Sequence, residues 1–403
     1  MKSLLFKRTP RAAAAIALAL AGSTAASAAE YAGSVVASGL NNPRGLSFGP
    51  DGALYIAEAG IAAGTGPSTV ARGEVFTYTQ TGSVTRYQAG AQSRVYTGLA
   101  SLYGSVQRQV NGPNDIVFNA AGVPVIAMGL GQNPLLRSTD LAPGGTNLAL
   151  VFTPGGSLVD VGQYEVVNNP AGGIVDSNPW HLAVVPGATL MTDAGGNSLL
   201  RIGNDGSIST LATFASRTIG TATFDAVPTG VAVGPDGAYY VGQLTGVPYV
   251  PGAAQIYRVA SGGGAPTVFS TGFTMITDLT FGADGSLYAL EYDSDGARNP
   301  GVFGALWKVA PNGSRSLIFG ELTNPTGVAI GSDGAFYVSN FGASTGRGEV
   351  VRVAAIPEPE TYALMLAGLG VLGAVTRKRR SSKAKHLDPS RSRPAANSVM
   401  VQP

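Results

Sequence analysis

The chain has 403 residues, of which 44% are hydrophobic, only 12% are charged and none is cysteine. The lack of cysteine excludes disulfides and cysteine–zinc sites, and 57 glycines with 25 prolines indicate many turns and an all-β fold. Between residues 30 and 356 there are 14 Lys and Arg against 21 Asp and Glu, an acidic balance that excludes a nucleic-acid-binding protein.

The first 28 residues have the order of a secretory signal peptide. Basic residues between Lys2 and Arg11 precede an apolar run at residues 12–22, and the small residues Ala26-Ser27-Ala28 follow. This order predicts an N-terminal signal helix (1–28), cleavage near Ala28 and export of the chain through the inner membrane.

Between residues 31 and 355, a unit of two short apolar strands joined by a Gly or Asp-Gly turn occurs six times. Two of the copies read NPRGLSFGPDGALYIAE and NPTGVAIGSDGAFYVSN. The turn glycines are Gly52, Gly122, Gly187, Gly237, Gly285 and Gly334. Such periods with alternating apolar positions are typical of propeller blades, so the sequence predicts one all-β domain, a six-bladed β-propeller.

The two ends of the repeat region predict how the ring closes. Each hairpin is followed by a third apolar stretch, for example GEVFTYT in the first copy, and most copies have a fourth. The last copy lacks a fourth stretch, while the unpaired GSVVASGLNNP precedes the first copy. We therefore expect the N-terminal strand to complete blade six and to remove an exposed sheet edge. Insertions are expected at residues 93–109 and 137–148, either to carry specificity or to cover an edge.

Equivalent positions in the six blades must form rings around the central axis. The ring at the start of each first strand contains His181, Asp115 and Asp278, and glycine in the other three blades. His181 with either carboxylate could perform acid–base catalysis, which makes all three candidate catalytic residues. The alternative is that both carboxylates accept backbone hydrogen bonds where the strands begin.

Two further rings contain candidate ligand-binding residues at the mouth of the channel. The ring one residue earlier contributes Arg44, Asn114 and Trp180. The ring after each second strand contributes Glu58, Asp193 and Glu291, for which strand-end capping is the alternative. No cofactor is assigned. A carboxylate cluster leaves a divalent cation open, but His181 has no second histidine nearby in sequence to build a zinc site.

The C-terminal region is tripartite. Pro357-Glu358-Pro359 precede an apolar run at residues 362–375, and a basic cluster follows, consisting of Arg377, Lys378, Arg379 and Arg380. As a helix the run would be about 21 Å long, short of the ~30 Å hydrocarbon core, so it predicts a short hydrophobic helix that anchors the chain transiently in the membrane. Residues 381–403 are polar and predicted to be disordered.

Residues 356–380 resemble the PEP-CTERM sorting signal of Gram-negative bacteria in motif, apolar run and basic end. The resemblance implies recognition and cleavage by an exosortase-type membrane protease. It also implies delivery of the protein to the cell surface or extracellular matrix.

The run from Val35 to Ile356 resembles the ScyD/ScyE-like family of exported propellers with NHL-related repeats. The resemblance rests on ASGLNNPRGLSFGPDGALYIAEAG, DSNPWHLAVVPGATLMTDAGGNSLLRI and TNPTGVAIGSDGAFYVSNFG. A second comparison is with lactonase propellers of the gluconolactonase type, which hold a divalent metal with Glu, Asn and Asp just before the inner-strand glycine. In this chain only Asn114 matches that pattern.

Three functions are compatible with these observations. The first is a surface propeller that acts as a binding or accessory protein for a polysaccharide, a small molecule or a protein. The second is a lactonase-like hydrolase or lyase that uses Asp115, His181 and Asp278, with or without a metal. The third is a structural matrix protein without a ligand.

Overall fold

The computed structural model describes residues 30–296 and 303–356, together with Leu369 and Leu372. Residues Tyr31–Ile356 form one compact unit. The predicted signal helix, the sorting-motif residues from Pro357 and the tail 381–403 lie outside the described residues, as does the run 362–375 except for those two leucines. Within the described part of the chain, no helix has the length and apolar character needed to cross a membrane.

The strands of the first three blades follow one another along the chain after strand β1 (Tyr31–Leu40). Blade one contains β2 (Pro43–Phe48), β3 (Leu54–Glu58), β5 (Glu74–Gln88) and β6 (Ala91–Gly104), extended by β4 (Ser68–Ala71) and β7 (Val110–Asn111). Blade two contains β8 (Pro113–Phe118), β9 (Pro124–Met128), β10 (Leu150–Phe152) and β11 (Leu158–Asp160). Blade three contains β12 (Pro179–Val185), β13 (Ala188–Asp193), β14 (Ser198–Gly203) and β15 (Ile208–Thr213).

The last three blades have the same meander order. A small hairpin, β16 (Arg217–Ile219) and β17 (Ala222–Phe224), leads into them. Blade four contains β18 (Pro228–Val233), β19 (Tyr239–Gln243), β20 (Ala254–Val259) and β21 (Thr267–Phe273). Blade five contains β22 (Ile276–Phe281), β23 (Leu287–Glu291), β24 (Gly304–Val309) and β25 (Arg315–Leu322). Blade six contains β26 (Gly327–Ile330), β27 (Phe336–Asn340) and β28 (Gly348–Ala355), with β1 as its outer strand.

The six-bladed propeller and its closure are confirmed. Strand β1 pairs antiparallel with β28, from Tyr31 opposite Ala355 to Leu40 opposite Gly348. The first strands of neighbouring blades contact one another and surround the axis. The six turn glycines adopt φ between +72° and +75°, a left-handed conformation that side chains disfavour, which explains why glycine recurs at this point of the repeat.

The core consists of six hydrophobic clusters, one in each gap between neighbouring blades of the described propeller. Leu46 and Val350, for example, meet in the gap between blades one and six. Each fully buried Leu or Ile contributes on the order of 1.5–3 kcal/mol, so the ring is stabilised at every interface, including the one that the chain ends close.

The structure differs from the sequence prediction in blade one. GEVFTYT is not the third strand of the sheet, because β3 pairs with the second half of β5, Leu54 opposite Tyr87 and Glu58 opposite Ser83. The first half of β5 pairs with β4 and with the end of β6, and extends beyond the sheet. Much of the insertion expected at residues 93–109 is therefore strand β6.

Helical segments account for the insertions in blade two. Two 3₁₀ helices, Pro134–Arg137 and Gly144–Asn147, occupy the region predicted at residues 137–148. An α-helix, α1 (Val161–Asn168), follows β11 and was not predicted from the sequence. The Asp160 side chain caps it by accepting the Gln163 amide N–H at 2.8 Å.

Candidate functional site

A cavity of ≈ 1040 Å³ opens at the end of the channel where the first strands of the blades begin. Its floor is formed by residues at those strand starts, namely Arg44, Trp180, Thr229, Thr277 and Thr326. Its wall comes from segments outside the repeat, including the β4–β5 hairpin and the loop before β12. The volume is at the upper end of the range for small-molecule pockets.

The floor ring is the set of six residues that come one position before the ring of Asp115, His181 and Asp278, and all of them except Asn114 line the cavity. They are Arg44, Asn114, Trp180, Thr229, Thr277 and Thr326. Four of them join consecutive blades through hydrogen bonds. Each donates its side-chain hydrogen to the backbone carbonyl at the start of the next blade. The bonds are Asn114 Nδ2 to Pro179 O at 2.8 Å, Thr229 Oγ1 to Ile276 O at 2.6 Å, Thr277 Oγ1 to Pro325 O at 3.1 Å, and Thr326 Oγ1 to Pro43 O at 2.7 Å. This ring of donors is a structural device that holds neighbouring blades together.

Arg44 and Trp180 occupy the other two positions of this ring and behave differently. The Arg44 guanidinium donates from Nη2 to Val110 O at 2.9 Å and from Nη1 to Gly342 O. Trp180 reaches across the channel, where its Nε1 donates to Thr277 O at 3.2 Å. Arg44 Cζ lies 5.8 Å from the centre of the Trp180 ring. Two long side chains therefore form the central part of the cavity floor.

His181, Asp115 and Asp278 meet on the channel axis. His181 Nε2 lies 2.8 Å from Asp278 Oδ1 and 3.7 Å from Asp115 Oδ2. Each carboxylate also accepts two backbone N–H groups. Asp115 accepts those of Ile116 and Leu182 at 2.8 Å, and Asp278 accepts those of Leu279 and Val328 at 2.7 Å. The two carboxylates therefore do both things that the sequence suggested: they contact His181, and they accept backbone hydrogen bonds where the strands begin.

The surroundings of His181 and Asp115 raise the pKa of both groups. Burial by itself lowers the pKa of His181, but the Asp278 and Asp115 carboxylates outweigh it and raise the pKa to about 9. The Val231 N–H opposes them, since it lies 3.3 Å from Nδ1 and can donate only to an unprotonated nitrogen. Burial raises the pKa of Asp115 to about 6, against the attraction of His181.

None of the three residues lines the cavity. They follow the floor residues by one position along the first strands, and Asp115 and Asp278 are each only 1% exposed. The structure thus separates the acid–base cluster from the cavity by the Arg44–Trp180 layer. A catalytic role for Asp115, His181 and Asp278 stays a prediction.

Glu58, Asp193 and Glu291 do not line the cavity either. Their carboxylates are buried at the ends of second strands and bind groups close to them. Glu58 accepts the Asn41 N–H at 2.6 Å and pairs with Arg94 at 2.8 Å. Asp193 accepts the N–H groups of Asn178 and Gly196, and Glu291 accepts Trp307 Nε1 at 2.9 Å. This placement favours strand-end capping, and ligand contact by these three residues stays a prediction.

Several residues of the site had no signal in the repeat pattern. Arg72, at the tip of the β4–β5 hairpin, pairs with Asp176 on the loop before β12, and both line the cavity. Glu165 of α1 is 2% exposed, and burial together with Asp193 and Asp176 raises its pKa to about 8. These residues lie in segments that occur once, so no equivalent position in another blade pointed to them.

Among residues 30–296 and 303–356, no three His, Cys, Asp or Glu side chains are arranged to hold a metal ion. In the floor ring the carboxylates of the lactonase pattern are missing, and only Asn114 matches that pattern. The residues present therefore do not fit the lactonase-type metal, and a divalent cation stays a hypothesis.

The PEP-CTERM protein-sorting motif matches residues 355–380. This motif is the substrate signal for exosortase processing, and it identifies the chain as one exported across the inner membrane of a Gram-negative bacterium to the cell surface. No curated protein matches the chain.

Solved propellers match the chain over about four fifths of its length. A gluconolactonase from Xanthomonas campestris is 11% identical with a TM-score of 0.50, covering 80% of this chain and 89% of that chain. A streptogramin B lyase is 13% identical with a TM-score of 0.48, covering 81% and 98%. A calcium-binding regucalcin from Agrobacterium tumefaciens is 15% identical with a TM-score of 0.45, covering 82% and 97%. At these identities the likeness concerns the fold alone, a six-bladed β-propeller.

Proposed function

We propose that this exported cell-surface propeller is a binding or accessory protein whose ligand occupies the cavity at the end of its channel. The observation that supports this proposal is the ≈ 1040 Å³ cavity. Arg44 and Trp180 form its floor, and the acid–base cluster lies beneath them. The wall adds apolar side chains at the rim, among them Ile174 at 86% and Val247 at 69% exposure. A concave, partly apolar site with a few polar groups suits a small molecule or a polysaccharide segment.

We also propose that the chain is cleaved at its sorting signal and that it belongs to the ScyD/ScyE-like family. Exosortase cleavage within residues 356–380 would release the propeller to the cell surface or extracellular matrix. The quoted blade sequences support membership in the ScyD/ScyE-like family of exported propellers.

Tryptophan fluorescence tests ligand binding directly, because the chain has only two tryptophans, Trp180 and Trp307. Trp307→Phe leaves the floor tryptophan as the reporter, and we expect a saturable fluorescence change when neutral and acidic mono- and oligosaccharides are titrated. The matched variant Trp180→Phe keeps Trp307, which hydrogen-bonds to Glu291 away from the cavity, and should not respond. Equal responses in both variants, or none in either, would count against the cavity as the ligand site.

The second candidate function is a hydrolase or lyase, which the 2.8 Å contact between His181 Nε2 and Asp278 Oδ1 favours. In that mechanism His181 would shuttle a proton between substrate and carboxylate, and the Arg44–Trp180 layer would have to move for a substrate in the cavity to reach it. His181→Gln separates the two functions. It should abolish turnover of a lactone if the chain is an enzyme, and leave saccharide binding unchanged if the cavity is only a binding site.

A further inference from the structure

Two residues of the floor ring, Arg44 and Trp180, differ from the other four in size and in the bonds they make. Four of its six positions carry short side chains that donate to the carbonyl at the start of the next blade. Arg44 and Trp180 stand where the same short donor would serve, and both lie over the channel. Because the repeat defines what stability requires at this position, the two exceptions indicate a function that the other four residues do not have.

Arg44 places a positive charge at the bottom of the cavity. The residue is 7% exposed, and its hydrogen-bond acceptors are two backbone carbonyls. Its Nε has no hydrogen-bond partner, and Arg44 is not in any of the ion pairs of the described residues. Burial lowers its pKa to about 10, so the guanidinium is charged at neutral pH. A buried charge without a counter-ion costs several kcal/mol, and an anion in the cavity would recover part of that cost.

The acidic side chains of the cavity wall have other partners. Asp176 is paired with Arg72, and Glu74 accepts the backbone N–H groups of Val106 and Gln107 at 2.7 and 2.8 Å. Asp225 accepts the Ser216 hydroxyl at 2.8 Å. None of these three carboxylates pairs with Arg44, so an anionic group of the ligand would be its first ionic partner.

Trp180 supplies a flat surface beside this charge. Its indole is partly exposed and lies in the cavity floor, and Thr277 O fixes the ring through the Nε1 bond. The face of an indole carries negative charge density, which attracts the polarised C–H groups of a sugar ring. A ligand that contacts both residues needs an anionic group next to a ring.

Resting on the proposed function, we infer that the cavity accepts a carboxylated sugar, a uronic-acid residue whose carboxylate faces Arg44 and whose ring packs on Trp180. The neutral threonine donors around the floor are already bound to backbone, so Arg44 is the floor group that distinguishes an acidic sugar from a neutral one.

The test compares galacturonate with its methyl ester, which differ in one charge, by fluorescence titration of the full-length Trp307→Phe protein. We expect galacturonate to bind at least about tenfold more tightly than the ester, since a tenfold ratio corresponds to about 1.4 kcal/mol and two opposite charges at a partly buried site attract each other by more than that. Adding Arg44→Gln should reduce this ratio to about one, whereas Arg44→Lys keeps the charge and should retain most of it. Arg258→Gln, an exposed arginine paired with Asp236, is the matched control and should leave the ratio unchanged.

The outcomes separate this inference from the proposed function. Equal binding of galacturonate and its ester would overturn the assignment of Arg44 while leaving the cavity as a ligand site. Binding of neither probe, nor of any other saccharide, would count against both. A trimer of galacturonate that binds more tightly than the monomer would identify a polysaccharide segment, and equal affinities would identify the free sugar acid. Both of these results support the carboxylate assignment. Should Arg44→Gln fail to fold, the acid-to-ester ratios of the Trp307→Phe and Arg44→Lys proteins still decide the question.

Discussion

His181 connects more of the propeller than any other single side chain of the ring in which it lies. Its imidazole contacts Asp115 of blade two, Asp278 of blade five and the Val231 N–H of blade four. The two carboxylates in turn bind the backbones of blades three and six through Leu182 and Val328. One protonation state on the axis is thereby coupled to the contacts of five blades.

This coupling predicts a pH dependence of stability. The pKa of His181 is about 9 in the folded protein and about 6.5 when unfolded, so its contribution is complete below pH 6.5 and is lost as the pH rises through 9. The loss amounts to at most about 3 kcal/mol. Chemical denaturation should show this decline between pH 8 and 10 in the native protein and not in His181→Gln; between pH 6 and 8 both proteins also show the decline due to Glu165.

Glu165→Gln provides a contrasting variant for the same measurement. The folded pKa of Glu165 is raised to about 8, so ionising this carboxyl costs stability between its unfolded value and pH 8, and the variant should flatten the curve only below pH 8. If His181→Gln keeps the decline above pH 8, the imidazole is not the group responsible.

At the scale of single residues, the sequence predicted which side chains meet only where a position repeats from blade to blade. The alignment of blades placed Asp115, His181 and Asp278 in one ring, and the structure brings their side chains together. The sequence could not show that Arg44 and Trp180 cover them, because an offset of one residue decides which ring faces the cavity. Arg72, Asp176 and Glu165 lie in unique segments, so periodicity carried no information about them.

At the scale of elements, the hydrogen bonds of the floor ring predict how blades are held to their neighbours. Thr326→Val removes the donor to Pro43 O between blades six and one, and Thr229→Val removes the donor to Ile276 O between blades four and five. A buried carbonyl that loses its partner costs roughly 1–3 kcal/mol, and we expect each variant to lower the free energy of unfolding by that amount. Urea denaturation measures it.

Thr223→Val is the matched control, because Thr223 is exposed on the β16–β17 hairpin and bonds only to another exposed threonine, Thr218, at 2.8 Å. Its effect should be within about 0.5 kcal/mol. Equal effects of the buried and exposed substitutions would show that the ring bonds do not stabilise the blades.

The turn aspartates explain why blade one was partly mispredicted. In four blades the Asp of the turn pairs with a basic residue on the third strand, as Asp236 does with Arg258 and Asp333 with Arg352. Asp51 does the same with Arg86, which lies in the second half of β5. The basic residue therefore marks the third strand in the sequence. GEVFTYT lacks one, whereas SVTRY at residues 83–87 has it.

At the scale of the whole molecule, the ring is closed by one pair of strands, β1 and β28. Ala32 and Ala354 are opposite each other in this pair, and the chain has no cysteine of its own. Ala32→Cys with Ala354→Cys should form a disulfide that closes a loop of nearly the whole propeller. The chain-entropy relation predicts an upper limit of about 6 kcal/mol for so long a loop, visible as a higher Tm under oxidising conditions.

Each single cysteine variant and the reduced double variant are the controls, and they should unfold like the native protein. If the oxidised protein shows no gain, β1 does not separate from β28 at the step that limits stability.

The blade count and this closure were predictable from sequence because both follow from where the repeat begins and ends. The helical segments of blade two were not, since they occur once and were read only as an insertion.

Strand β1 leaves the ribosome before every other strand of the propeller, and its partner β28 leaves last. Strand β1 therefore has no partner until β28 has been made, and the ring is completed only after residue 355 has emerged. The sorting motif begins at that same residue. A chain that presents the complete signal has thus already delivered every strand of its ring, so the order of synthesis couples the sorting step to a propeller that is able to close.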